Sequence, residues 1–299
     1  RRVLSFSLNN QLGFMVVGIG IGTELSLNGT VAHAFVHIIY KALLFMSMGA
    51  VLHRVGTTKA SELGGLYKYM PLTTIFCIIG AMSISAFPLF SGFVAKSLIM
   101  SALGGQGLIL IYFVLFFASA GVLEHSGIKI PYFAFFAHER KTKVKEAPLN
   151  MLIAMGVAAF LCIGIGVYPK YLYSILPYSV NYQPYTIDHV ISQLQLLVFA
   201  ILAFLFLVKF KLYPSEIKST VLNSDWIYRK MLPGIGKPLF KNLQKIIIKF
   251  YDLLSILFDL ILGRSKKFAN SSYIKVTTPG FAGLLMITIL FIMLVIAVI

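Results

Sequence analysis

Residues 30–51 read TVAHAFVHIIYKALLFMSMGAV, an apolar stretch that carries the most informative pattern of the chain. His33, His37 and Lys41 recur in it at four-residue spacing. On an α-helix such positions share one face, with a rise of about 6 Å between neighbours. Titratable side chains at membrane depth are costly, so they usually face a bundle interior and mark an ion or proton path. The stretch therefore predicts a transmembrane helix that carries a ladder of proton-transferring groups.

The composition of the whole chain is that of a multi-pass membrane protein. Hydrophobic residues make up 58% of the 299 residues and charged residues only 12%, which is about half of the share in soluble domains. The net charge of +16 is concentrated in connections at 54–68, 129–145 and 209–249, as the positive-inside rule expects. This distribution predicts a location in the cell membrane and contact with anionic lipid, and it excludes any need for a nucleic-acid partner.

Apolar segments of about 20 residues are the predicted building units, and the fold class is an all-α bundle of transmembrane helices. The predicted spans are 4–22, 29–53, 107–124, 149–169, 188–210 and 281–299. The predicted domains are a transmembrane bundle at 1–211, an inside polar connection with an amphipathic helix at 212–280, and a final transmembrane helix at 281–299. Within the second domain, 238–267 (PLFKNLQKIIIKFYDLLSILFDLILGRSKK) has the amphipathic pattern, and the pattern leaves open whether it spans the membrane or lies on it.

The segment 71–103, PLTTIFCIIGAMSISAFPLFSGFVAKSLIMSAL, is too long for one straight span and has Pro88 near its centre. By the positive-inside rule, the basic connections at 54–68 and 129–145 lie on the same side of the membrane. Since the 107–124 span makes one crossing between them, 71–103 must cross an odd number of times, and we expect one helix that is broken around Pro88. Lys96 follows the break, where it either reaches the membrane interface or faces an aqueous cavity. Ser91 and Gly92 lie at the opened turn, which lets water or backbone dipoles approach.

Two further positions are candidate site residues. Gln11 places an amide within the first span, where it either holds ordered water or packs against a neighbouring helix by hydrogen bonding. Glu124 ends the 107–124 span, either as a carboxylate through which protons enter or leave or as a residue in contact with headgroups. The sequence offers no metal-ligand or cofactor motif, so no metal, cofactor or catalytic residue is predicted.

The motifs above resemble those of one superfamily, the proton-conducting antiporter-type membrane subunits. The resemblance rests on RRVLSFSLNNQLGFMVVGIGIGT at 1–23, HAFVHIIYKALLFMSMGAVLH at 33–53 and AFPLFSGFVAKSLI at 86–99, and it extends over residues 1–165. Two later motifs, HSGIKIPYFAFF at 125–136 and DWIYRK at 225–230, are most similar to the D-type subunit of multisubunit Na+/H+ antiporters.

The resemblance implies a helical bundle in which Lys41 is the central proton carrier, His33 and His37 are its relays, and Lys96 is the terminal lysine on the discontinuous helix. It also implies neighbouring membrane subunits, with H+ and Na+ as the transported ions. Family members usually have hydroxyl residues where this chain has Asn9 and Asn10. Full-length members also carry an earlier inverted repeat, so the chain is expected to be the carboxy-terminal portion of a longer subunit.

Two alternatives to the antiporter remain open from the sequence. The same fold occurs in redox-driven proton pumps of the NADH-quinone oxidoreductase and membrane hydrogenase type. In the second alternative, the chain is a non-conducting membrane scaffold whose lysines bridge subunits.

Overall fold

The computed structural model describes residues 2–137, 143–213, 224–262, 286 and 288–289, and every described element is helical. Five helices are long and apolar enough to cross a membrane, as the all-α multi-pass prediction requires. The described residues divide into two units, 1–218 and 219–299. The first unit contains all the candidate site residues.

Helix α2 (Glu24–Val55) is the central element of the first unit. It packs against α1 (Arg2–Ile21), α3 (Pro71–Ile84), α4 (Ser91–Gly105) and α6 (Leu149–Val167). Its 32 residues span about 48 Å, more than the roughly 30 Å of the hydrocarbon core. The Thr23 hydroxyl accepts a hydrogen bond from the Ser26 amide at the amino end, so α2 starts five residues earlier than the predicted 29–53, and Glu24 belongs to its first turn.

The predicted discontinuous helix is present as two helices, α3 and α4, separated by residues 85–90. Pro88 lies in this gap, where its ring and missing N–H prevent a continuous helix. Ala86 and Leu89 adopt left-handed backbone conformations, with φ of 57° and 72°, which cost about 1 kcal/mol each for residues that carry a β-carbon. The break is therefore a defined, tightly folded turn.

Helix α5 (Ile109–Phe136) is longer than the predicted 107–124 span. The polar residues after position 124 do not end it, because the helix continues through two wider turns of π geometry at Leu123–Ile128 and Tyr132–Phe136. Such turns are common at functional sites. The prediction that Glu124 marks the end of a helix is therefore wrong, and Glu124 lies within α5.

The rest of the first unit comprises α6, the short helix α7 (Lys170–Ser174) and α8 (Ile187–Lys209). In the second unit, α9 (Leu232–Leu262) covers most of the predicted amphipathic segment and begins inside the region expected to be a polar connection. The predicted final span, 281–299, lies almost entirely outside the described residues.

Candidate functional site

The three ladder residues of α2 lie in the interior of the bundle on the face that meets α1. His33 is 0% exposed, His37 7% and Lys41 4%. The imidazole rings of His33 and His37 have centroids 6.2 Å apart in an edge-on arrangement. The four-residue spacing thus places three titratable side chains in one buried row.

At the first ladder position, His33 takes part in a three-membered hydrogen-bond network with Gln11 and Tyr40. The Tyr40 hydroxyl donates to Gln11 Oε1 at 2.9 Å, and His33 Nε2 lies 3.0 Å from the same oxygen and 3.1 Å from the Tyr40 oxygen. Because the amide oxygen only accepts, it fixes the direction of both bonds. Gln11 therefore bonds to a titratable group directly, and Tyr40 is a member of the site that the sequence patterns did not indicate.

Three buried nitrogen atoms around this network have no hydrogen-bond partner among the described residues: Gln11 Nε2, His33 Nδ1 and His37 Nε2. Buried polar atoms are nearly always paired with protein or ordered water, and leaving one unpaired costs about 1–3 kcal/mol. Two of these nitrogens belong to ladder residues of α2, and the third belongs to Gln11 of α1, which bonds to His33. Ordered water or a transferred proton can form the hydrogen bonds that these nitrogens do not form with the described residues.

Lys41 is held by the first helix. Its Nζ donates to the Leu4 carbonyl at 3.1 Å and to the Ser7 hydroxyl. From α5, the imidazole of His125 lies close enough to interact with the Val3 backbone and, electrostatically, with Lys41. His125 is thus a second site residue that the sequence patterns missed, because a π turn of α5 brings it there.

Lys96 is buried at the break between α3 and α4, with 4% of its surface exposed, so it does not extend to the membrane interface. Its Nζ donates to the Ile84 carbonyl at 2.8 Å, and Ile84 is the last residue of α3. The carbonyls of a helix end have no partner within the helix and carry the negative end of its dipole. The broken helix therefore supplies the acceptor for the Lys96 ammonium.

Phe14 of α1 lies between the ladder and Lys96. Its ring centroid is 5.9 Å from the His33 ring and 5.1 Å from Lys96 Nζ. An ammonium at this distance from an aromatic face is stabilised by about 0.5–2 kcal/mol. In this conformation an apolar ring separates the two titratable groups.

Gly92 and Ser91 allow the two halves of the broken helix to approach closely. The Ser83 and Ser91 hydroxyls are 3.0 Å apart, and a β-carbon on Gly92 would lie only 1.8 Å from the Ser83 carbonyl oxygen. Only glycine fits at that position. The contact holds the start of α4, and therefore Lys96, against the end of α3.

Glu124 is separate from the row of buried cations. Its Oε1 accepts a hydrogen bond from the Tyr213 hydroxyl at 3.3 Å. Among the residues that the structure describes, neither Lys41 nor Lys96 forms an ion pair with a carboxylate. The site consists of titratable cations, hydroxyls and backbone carbonyls.

The fold and the site together define a polytopic helical membrane protein with a buried row of lysine and histidine side chains. Residues 1–122 match the family of transmembrane domains described as NADH:quinone oxidoreductase/Mrp antiporter. This segment contains the row and the broken helix, so the resemblance seen in the sequence is confirmed.

Two curated relatives are similar to this chain over more than half of its length. The chain is 33% identical over 181 residues to the D-type subunit of the Na(+)/H(+) antiporter of Alkalihalophilus pseudofirmus, covering 58% of this chain and 36% of that protein. It is 29% identical over 182 residues to NADH-ubiquinone oxidoreductase chain 5 of Hypocrea jecorina, covering 58% of this chain and 26% of that protein. The chain thus spans about a third or less of these relatives.

A solved structure of the Mrp complex from Dietzia sp. DQ12-45-1b contains a similar chain. The TM-score is 0.61 at 18% sequence identity, over 96% of this chain and 34% of the other. At this identity the similarity establishes the shared helical fold.

Proposed function

We propose that the chain translocates protons as part of a multisubunit cation/proton antiporter of the D type. Lys41, His37, His33 and Lys96 are the proton carriers. The similarity to the D-type Na(+)/H(+) antiporter protein supports this assignment. The proposal includes Na+ as the exchanged cation, other membrane subunits and lipid as partners, and the cell inner membrane as the location.

One observation carries the proposal: four titratable groups are buried in the bundle, and nitrogen atoms of the two histidines and of Gln11 lack protein partners among the described residues. Burial destabilises a charged lysine, which makes the gain and loss of a proton sensitive to changes nearby. Imidazoles transfer protons through either ring nitrogen. The unpaired His33 Nδ1 and His37 Nε2 are available for such transfer once water reaches them.

In the proposed mechanism, a proton passes from Lys41 through His37 and His33 to Lys96. The Leu4 carbonyl and Ser7 hydroxyl hold the ammonium of Lys41 before transfer, and the Ile84 carbonyl receives the ammonium of Lys96 after it. Each lysine then returns to its neutral form by passing its proton onward. Phe14 must rotate or admit water for the His33-to-Lys96 step, because its ring stands between them.

The test uses the full-length subunit in its assembled complex, reconstituted in vesicles, with proton-gradient dissipation measured after cation addition. Lys41→Ala and Lys96→Ala remove the carriers, and Lys41→Arg keeps a charge that cannot be released at physiological pH. Lys59→Ala is the matched control because the Lys59 side chain is 74% exposed. We expect normal assembly in all four variants and loss of exchange in the first three only.

Normal exchange in both alanine variants of the buried lysines would contradict the proposal. Loss of assembly in Lys41→Ala before any loss of transport per assembled complex would support the scaffold alternative.

A redox-driven proton pump is the second candidate function, favoured by the similarity to NADH-ubiquinone oxidoreductase chain 5. The same carriers serve in that case, and the energy source differs. Neighbouring genes discriminate between the two: antiporter subunits support the antiporter, and dehydrogenase or hydrogenase subunits support the pump.

A further inference from the structure

The proposed carriers end at Lys96, which is buried, so a proton on Lys96 needs a connection to water. A small cavity of about 20 Å³ lies beside Lys96 and is lined also by Phe14, Phe93, Ser97, His189 and Gln193. This volume has room for about one water molecule, and the site is polar enough to hold one.

A second, open cleft of about 350 Å³ is also lined by His189. It is formed by the end of α4 and the start of α8, and Asp188, Thr186 and Ser192 contribute polar groups to its wall. His189 lines both the closed cavity and the open cleft. His189 is therefore in contact with both the cavity beside Lys96 and the open cleft.

The orientation of the His189 ring is fixed by its neighbours. It stacks on Phe93 with centroids 4.8 Å apart and an interplanar angle of 23°, and its Nδ1 lies 3.1 Å from the Pro184 carbonyl oxygen. Because a carbonyl only accepts, Nδ1 carries the hydrogen of this bond. Nε2 is then the nitrogen that can take up and release a proton.

The other titratable groups around His189 are few. The Tyr182 hydroxyl is 3.4 Å from Nδ1, and the Tyr185 ring packs on the same Phe93. Burial raises the pKa of the Tyr185 phenol, so this group stays neutral and does not compete for the proton. Among the described residues that line the two spaces, Lys96 in the cavity and Asp188 in the cleft are the charged groups.

We propose that His189 relays protons between Lys96 and the open cleft beside Asp188. This inference rests on the proposed function and extends it by a proton-release site. The Lys96 ammonium gives a proton, through the water that the cavity can hold, to Nε2 of neutral His189. The resulting imidazolium then gives a proton to water in the cleft, so that Lys96 and His189 both end neutral. Uptake follows the reverse order.

The experiment measures proton movement in vesicles that contain the full-length subunit in its assembled complex, with and without added imidazole. His189→Ala removes the relay, and His189→Gln keeps a hydrogen-bonding side chain without a titratable group. His53→Ala is the matched control, because His53 lies in the last turn of α2. Assembly is checked by immunoblot, and Lys41→Ala serves as the reference for loss of the main route.

We expect both His189 variants to slow proton movement about 100-fold or more, the effect typical of a lost acid–base group. Imidazole should restore the rate of proton movement in His189→Ala. The control His53→Ala should move protons at the wild-type rate, with or without imidazole. A structural role for His189 would not produce rescue by a free proton carrier.

The inference is overturned if His189→Gln transports at the wild-type rate, or if imidazole fails to restore His189→Ala. A normal rate in His189→Ala beside an inactive Lys41→Ala overturns the relay and leaves the proposed function intact. Normal rates in both His189→Ala and Lys41→Ala overturn the relay and the proposed function together.

Discussion

Gly92→Ala tests whether the contact between the two halves of the broken helix positions Lys96. The added methyl carbon would lie 1.8 Å from the Ser83 carbonyl oxygen and 3.0 Å from its carbon. Both partners are backbone atoms, so no side-chain rotation can relieve the overlap. The start of α4 must therefore move away from the end of α3.

The size of that movement sets the expected effect. Restoring a contact of about 3 Å requires a shift of at least roughly 1.2 Å, which would stretch the Lys96–Ile84 hydrogen bond from 2.8 Å to a length at which it no longer counts as one. Overpacking costs about 1–3 kcal/mol, and a lost hydrogen bond to a charged group about 1.5–3 kcal/mol. We expect a total destabilisation of about 2.5–6 kcal/mol and the loss of most proton transport.

The assay compares thermal unfolding of the detergent-solubilised complex with proton transport in vesicles. Gly104→Ala is the matched control, because Gly104 lies on the same helix and a β-carbon there meets no atom within 4 Å. Alanine is favoured over glycine in a helix by up to about 1 kcal/mol, so this variant should be as stable as the wild type or more so. Equal melting temperatures and transport rates for the two variants would refute the reasoning.

Two other side chains make testable long-range contacts within the first unit. Asn28 is buried and exchanges two 3.0 Å hydrogen bonds with the Tyr178 backbone. Asn28→Ala should therefore lower the free energy of unfolding by about 1–3 kcal/mol and speed proteolysis of the segment after α7. An unchanged rate of proteolysis would contradict this. Glu146 accepts hydrogen bonds from the Leu72 amide at 2.8 Å and the Thr73 hydroxyl at 2.6 Å at the start of α3. Glu146→Ala should therefore cost about 1–2 kcal/mol in thermal unfolding. Glu146→Gln should cost less, because it keeps an acceptor oxygen for these two donors; equal destabilisation by the two variants would contradict this.

The parts of the site that could be predicted from the sequence depend on local spacing. His33, His37 and Lys41 share a face because of helix periodicity alone, and Pro88 breaks its helix because of its own ring. The sequence also indicated that backbone dipoles would approach Lys96 at the opened turn, and the Ile84 carbonyl does so. Their roles in proton transfer stay predictions until transport is measured.

The parts that could not be predicted depend on contacts between distant segments. Phe14 lies beside Lys96 because α1 and α4 meet across the bundle, and His189 lies there because of the path of α8. His125 approaches Lys41 because α5 continues in π geometry beyond Glu124, where its polar sequence resembles a helix end. No periodicity within one segment encodes such pairings.

The composition of the site has a consequence for how the proposed carriers act on each other. Within the described residues, Lys41 and Lys96 are held by carbonyls and a hydroxyl and by no carboxylate. Two positive charges about 10 Å apart at an effective dielectric constant of about 20 repel each other by about 1.7 kcal/mol. That energy corresponds to a preference of more than tenfold for one proton over two in such a pair. A proton arriving at Lys41 would then promote release from Lys96, so coupling between the ends of the row requires no movement of the helices beyond the admission of water past Phe14.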